Sequence, residues 1–182
     1  MERSAPCLET PRLRLEAHNP ADLSDCLALW SDPEVVRHMS GKPSTEEEVW
    51  ARLLRYAGLW AMLGYGFWAV RDRESGKFLG EVGFADFRRE ISPRIGDCPE
   101  AGWVLATAAQ GRGLASEAVR AATGWADHAL AFDRTACLIS VENAASIRVA
   151  RKCGYADRVV TAYRGDPALI MDRFRVPPAR RA

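Results

Sequence analysis

The chain has 182 residues, 48% of them hydrophobic, enough to bury a sizeable core in one domain and too apolar for a disordered chain. Its 25 basic and 24 acidic residues leave a formal net charge of +1, so nothing in the balance calls for nucleic acid or an anionic membrane as partner. No apolar run approaches the length of a membrane span, and the opening MERSAPCLETPRL has no apolar segment of signal type.

Cys7, Cys26, Cys98, Cys137 and Cys153 are odd in number, widely spaced and form no C-x-x-C. Reduced thiols in a cytoplasmic protein are the expectation. His18, His38 and His128 form no H-E-x-x-H and have no cysteine in ligand spacing, so no metal is expected.

Residues 1–11 and 176–182 are expected to be loose tails on a single domain spanning 1–182. Arg12 to Glu16 alternates polar and apolar residues, the pattern of a half-buried strand. Asn19-Pro20-Ala21-Asp22 opens a helix, with proline where its missing N–H costs nothing. Leu23, Cys26, Leu27 and Trp30 form that helix's apolar face. Asp32-Pro33 breaks it, and 34–39 adds another turn. After the loop Gly41-Lys42-Pro43, Ser44 or Thr45 caps a helix whose first turn holds Glu46, Glu47 and Glu48, favoured there by the dipole. Val49, Leu53, Tyr56, Leu59 or Trp60, and Leu63 share its buried face.

Gly64-Tyr65-Gly66 ends the helix. Phe67–Arg71 and Phe78–Phe87 read as a hairpin around a turn at 72–76, followed by a charged loop at 88–99. Ala101 to Leu105 is apolar enough for a strand buried on both faces. The turn Gln110-Gly111-Arg112-Gly113-Leu114-Ala115 follows. A helix then carries Leu114, Ala118, Ala122, Trp125 and Ala129 on one face. Thr135–Val141 is a buried strand. Asn143 caps the next helix and Gly154 ends it. Residues 155–162 and 168–175 are two terminal strands joined by 164–167.

The glycine turn is the centre of the functional reading. A strand feeding a helix through such a turn leaves unpaired N–H groups at the helix start. With the dipole they make an anion site suited to phosphate. Gly111 and Gly113 let a ligand approach the backbone, and Arg112 adds a cation to the rim. Gly111-x-Gly113-x-x-Ser116 nearly matches the dinucleotide fingerprint, and the lysine-containing P-loop pattern is absent.

Gln110, Gly113 and Ala115 fill the pattern Gln-x-x-Gly-x-Ala. This resembles the coenzyme A pyrophosphate loop of the GNAT acetyltransferase superfamily. A second stretch, ISVENAASIRVARKCGY, is similar to the other GNAT signature: Asn143 and Ser146 open a helix after a strand, and Lys152, Gly154 and Tyr155 close it. LETPRLRLEA and Glu-Ala-Gly-Trp-Val-Leu look most like the RimJ/RimL branch. The resemblance implies an α/β fold with a mixed, mostly antiparallel sheet of six to seven strands, helices on both faces, and a splay at the acetyl-CoA site. It implies acetyl transfer from acetyl-CoA to a primary amine, either a protein N-terminus or a small molecule, by direct attack without a covalent enzyme intermediate. A homodimer stays open.

That chemistry needs a base for the protonated amine, a donor for the tetrahedral oxyanion and an acid for the leaving thiolate. Glu100, at the start of the central strand, is the first candidate base and Glu81 the second. The resemblance assigns the oxyanion donor to the backbone N–H near Val104 or Leu105, and the cofactor to these two residues, the turn 110–115, Asn143 and Ser146. Many members carry a tyrosine acid where this chain has Ala150, which leaves Ser146 as the replacement. Asn143 reads both as a helix cap and as a contact to the pantetheine arm. Trp30, Trp60 and Trp125 read as core; Trp68 and Trp103 could flank an acceptor pocket. Two competing functions are an acyl-CoA-binding module without catalysis and a dinucleotide-dependent oxidoreductase. The latter needs its glycine loop after the first strand.

Overall fold

The structure is a computed structural model describing residues 4–39 and 41–175. Among the described residues eight strands form one sheet: β1 (Leu8–Glu9), β2 (Leu13–Glu16), β3 (Phe67–Asp72), β4 (Phe78–Ala85), β5 (Glu100–Leu105), β6 (Arg134–Ser140), β7 (Ala156–Tyr163) and β8 (Asp166–Phe174). Their spatial order is β1-β2-β3-β4-β5-β6-β8-β7. All neighbours are antiparallel except β5 and β6. The expectation of six to seven strands falls short by β1. Its two residues lie inside the stretch read as a loose lead-in and pair with Leu15 and Arg14 of β2. The tail at 176–182 lies outside the described residues.

The described residues also form five α-helices: α1 (Leu23–Ser31), α2 (Pro33–Val36), α3 (Glu46–Leu63), α4 (Leu114–Ala129) and α5 (Ala144–Lys152). Their starts follow the capping chemistry of the sequence. Thr45 accepts from the Glu48 N–H while Glu48 reaches back to the Thr45 N–H, the reciprocal box that satisfies two orphan donors. Asn19 and Asp22 do the same for a short 3₁₀ turn ahead of α1. Asp32 caps α2. Gly64, in the left-handed region at φ 75°, ends α3.

Strand alternation sorts side chains to two faces. Trp68, Val70, Val82, Phe84, Ala101 and Leu105 meet α4 and α5. Phe67, Ala69, Ala85 and Val104 meet α1, α2 and the middle of α3. On this second face the loop 88–99 covers β6–β8 through Ile91 and Ile95, which pack on Ala136 and Ile170. The helical faces follow their spacing with two exceptions. Leu63 and Ala129 are exposed, and Ala126 takes the buried place at the end of α4.

Candidate active site

The site begins where β5 and β6 part. They share a single register pair, Glu100 with Ala136, reinforced by the Ala136 N–H bonding to Pro99 O. Beyond that pair the two parallel strands run on without further pairing, to Leu105 and Ser140. On its other side β5 stays fully paired with β4, from Gly80–Leu105 to Ala85–Glu100. The gap therefore opens from Glu100 toward Leu105, along one edge of β5. Val104 and Leu105 lie on that strand, both buried.

The glycine turn stands at the wide end of this gap. Gly111 and Gly113 have φ of 73° and 77°, values open to glycine and strained for other residues. A Cβ built on Gly111 meets nothing within 4 Å, and one on Gly113 meets only Arg12 Nη2 at 3.7 Å. The concave side of the turn is thus open space. Gly113 caps α4 without any side-chain acceptor, and acidic Glu117 sits one turn in. The first N–H groups of the helix have no intrahelical partners. A helix start with such free N–H groups is a general anion site. Gln110 Nε2 bonds Leu105 O at 3.1 Å, which ties the turn back to the strand end. Leu114 is buried beneath the turn, Ala115 is half-buried, and Arg112 is exposed on the rim.

Sequence reasoning missed what holds the turn in place. Arg12 donates from Nε to Glu117 Oε2 at 2.7 Å and from Nη1 to Arg112 O at 3.0 Å. Thr10 Oγ1 and the Arg12 N–H both bond Glu117 Oε1. The turn between β1 and β2 is thereby fastened to the first turn of α4. The partners lie more than 100 residues apart in sequence, so no local pattern announces them.

The two candidate bases lie on one face of the sheet. Glu81 stands opposite Val104 in register, and Glu100 opposite Ala85. Glu81 is fully buried. Its Oε2 accepts from Tyr56 Oη at 2.7 Å and Trp30 Nε1 at 3.1 Å, while its Oε1 is buried without a partner. A buried carboxylate oxygen left empty costs free energy and invites a donor. Burial and the adjacent Glu81 charge push the Tyr56 hydroxyl well up, which keeps it a donor. The same causes lift the Cys26 thiol far above its ordinary range. His18, Cys26 and Glu81 each bring one potential ligand atom within 4.8 Å of the others, a gathering invisible in the sequence. With the thiol held protonated and His18 Nδ1 3.7 Å from Asp22, the group reads as packing around the carboxylate.

Glu100 has no free oxygen. Arg89 Nε lies 2.9 and 2.8 Å from its two oxygens, and Arg89 Nη2 is 2.7 Å from Oε1. Burial raises the Glu100 carboxyl, and Arg89 opposes that rise. The Arg89 guanidinium is itself sandwiched 4.4 Å from Phe87 and 4.7 Å from Tyr163.

Asn143 caps α5, its Oδ1 accepting the Ser146 N–H at 3.0 Å. Ser146 is half-buried, and among the described residues its hydroxyl has no partner. Ala150, at the place of the usual tyrosine, is fully buried between α5 and the sheet. Tyr155 is a core residue bonded to Thr135 Oγ1 at 2.9 Å. Trp68 is fully buried, its Nε1 on Pro6 O, and packs with Trp60 and Trp125. It lies on the sheet face that meets α4 and α5, opposite the face that packs on α1 and the middle of α3. The glycine turn follows β5, not the first strand that the dinucleotide reading requires.

A divergent strand pair leading to an open glycine cradle at a helix start is the architecture of an acyl-CoA-dependent transferase. The family model described as "Acetyltransferase (GNAT) domain" matches residues 12–156, and the chain belongs to that family. It is 32% identical over 154 residues to YkkB, an uncharacterised protein of Bacillus subtilis (strain 168), covering 81% of this chain and 83% of that one. A GnaT-family acetyltransferase structure from Bordetella pertussis superposes with a TM-score of 0.82 at 32% identity, covering 93% of this chain and 99% of that one. At 19% identity, where only the fold is compared, RimL, a ribosomal L7/L12 alpha-N-protein acetyltransferase in complex with coenzyme A, superposes with a TM-score of 0.76 over 93% of this chain and 98% of that one. Among the described residues no helix is long and apolar enough to cross a membrane.

Proposed function

We propose that this chain transfers the acetyl group of acetyl-CoA to a primary amine held in the same complex. The observation that carries the reading is the parting of β5 and β6 after one pair, which opens a slot directly beneath the cradle at Gly111–Gly113. The cradle's N–H groups and Arg112 would hold the pyrophosphate. The free edge of β5 at Val104 and Leu105 would receive the pantetheine arm, and its N–H groups would donate to the oxyanion. Coenzyme A supplies the activated thioester. Every other role falls to the chain.

Glu81 is the better base. Its Oε1 has no hydrogen-bond partner among the described residues, and Glu81 stands opposite Val104 in register, whereas Arg89 occupies both oxygens of Glu100. The proton leaves the amine for Glu81, directly or through one water, as the nitrogen attacks the thioester carbonyl. The C–S bond then breaks and the thiolate takes a proton. Ser146, with its hydroxyl unengaged among the described residues, is the proposed donor, passing its proton to the thiolate as it takes one from water. Glu100 is then a positioning residue that anchors Arg89 and the loop 88–99.

Calorimetric titration with acetyl-CoA, followed by thiol release with a panel of amines, tests this reading. Acetyl-CoA binding with amine-dependent release of CoA supports it. Binding without turnover on any amine would leave a binding module instead.

A further inference from the structure

Among the described residues, two arginines on α3 are left without a carboxylate. Arg52 lays its guanidinium 3.5 Å from the centre of the Trp30 ring, and its Nε is buried with no hydrogen-bond partner. Arg55, one turn on, carries its guanidinium 5.8 Å from the Phe87 ring and 6.0 Å from the Tyr56 ring. The acid placed to pair with Arg52 at helical spacing is Glu48, but its carboxylate is committed to the cap at Thr45. Arg12, Arg71, Arg89, Arg134 and Arg173, by contrast, all reach acids.

An unpaired arginine at a surface is normally a solvated cation. Position sets this pair apart. Trp30 and Tyr56, over which the two guanidiniums lie, are the same side chains that hold Glu81 Oε2. The cations therefore rim the carboxylate assigned above to the amine. Much of Arg55 faces solvent, yet burial lowers its guanidinium from the ordinary value; Tyr56 and Glu81 oppose that, and Arg52 and Arg89 add to it. Arg52 and Arg89 thus stand near enough to Arg55 to act on it as like charges, with Glu81 acting against them.

We propose that Arg52 and Arg55 bind a carboxylate on the acceptor, which makes the substrate class small amines that carry a carboxylate, such as free amino acids. The inference rests on the acetyl-transfer reading and deepens it. A guanidinium is a planar fork of donors that matches a carboxylate in two parallel hydrogen bonds, and Arg55 is exposed beside the half-buried Arg52. A substrate negative at one end and aminated at the other meets arginines on the rim and Glu81 below. A polyamine meets uncompensated cations of its own sign, which disfavours it.

The test compares each of several amino acids with its amide and with its decarboxylated amine, alongside spermidine, in the thiol-release assay. Wild type is expected to favour the amino acid by tenfold or more in kcat/KM. Arg52→Gln and Arg55→Gln should each cut that preference about tenfold, chiefly through the acceptor KM, with the KM for acetyl-CoA unchanged. Arg52→Lys, which keeps the charge and loses the fork, should recover only part of it. Should Arg52→Gln fail to fold because Trp30 is uncovered, the Arg55→Gln preference decides. Equal or better use of the amides or spermidine by wild type overturns the assignment, as does a preference that neither variant moves. If spermidine alone is acetylated, only the carboxylate assignment falls. If acetyl-CoA does not bind at all, the acetyl-transfer reading falls with it.

Discussion

Glu117 Oε2 stands 2.6 Å from the Arg12 guanidinium, and this pair joins the start of the sheet to the helix that begins at the glycine cradle. Arg12 also grips the backbone oxygen of Arg112 inside the turn. The Arg12 side chain is half exposed, so the pair itself is worth no more than about 1 kcal/mol. Its effect should appear where the turn must be held still. Arg12→Ala is expected to raise the KM for acetyl-CoA roughly two- to fivefold with kcat at saturation nearly unchanged. An equal fall in kcat would show that the clamp reaches the reacting centre.

The same clamp has a pH signature. Burial alone would raise the Glu117 carboxyl, but bonds from Thr10 and Arg12 outweigh it, and the folded value lies below the ordinary 4.5. A depressed carboxylate contributes stability that is present above the unfolded value and lost as pH falls through the folded one. Thermal unfolding of wild type should therefore lose an increment of stability as pH drops below about 4.5. Glu117→Gln should lack that increment. Parallel curves for the two proteins would contradict the assignment.

Gly113 carries a positive φ of 77° with open space beyond it. A valine there is strained by about 1–2 kcal/mol and projects a branched side chain into the phosphate position. Gly113→Val should abolish measurable acetyl-CoA binding in a protein that still folds, and Gly113→Ala should weaken it less. Circular dichroism checks the fold and calorimetry the binding. Retained affinity in folded Gly113→Val would move the pyrophosphate elsewhere.

The two carboxylates separate cleanly. Glu81→Gln should lower kcat by on the order of 10²–10⁴-fold with acetyl-CoA affinity intact. The loss should shrink as pH approaches the pKa of the acceptor, where more of the amine is already free. Glu100→Gln removes the charge that Arg89 neutralises and leaves Arg89 unpaired. Its effect should be on thermal stability and on the acceptor KM, through the loop 88–99. The reverse pattern would restore Glu100 as the base.

Ser146→Ala deletes a hydroxyl that has no partner among the described residues, while the Asn143 cap onto the Ser146 N–H survives. Stability should change little. If Ser146 protonates the thiolate, kcat should fall while acetyl-CoA affinity stays near wild type. Unchanged turnover would leave the serine without a catalytic part.

What the sequence disclosed was local. Caps at Thr45, Asn19 and Asn143, the glycine turn and the strand-to-helix order all come from residues within a few positions of one another, where propensity and turn chemistry act. Trp30, Tyr56 and Glu81 are 51 and 25 residues apart, and no periodicity joins them. The choice of Glu100 ahead of Glu81 rested on strand position and family resemblance, neither of which carries information on Arg89, a loop residue whose guanidinium lies against two aromatic rings. β1 escaped notice because two residues show no alternation. The parting of β5 from β6 came only through family resemblance, since both strands read as continuous apolar runs whether or not they pair.

The single register pair between β5 and β6 also divides the sheet mechanically. Five strands lie on one side of it and three on the other. The ladder hydrogen bonds that normally make a sheet open and close as one unit are nearly absent at this seam, so its continuity depends on α4, α5 and the loop 88–99 spanning it. Cooperative units in native proteins follow such seams. Amide exchange in the free chain should accordingly sort into two protection classes, β2–β5 in one and β6–β8 in the other. A ligand lodged in the slot and touching both edges would fuse them into a single class.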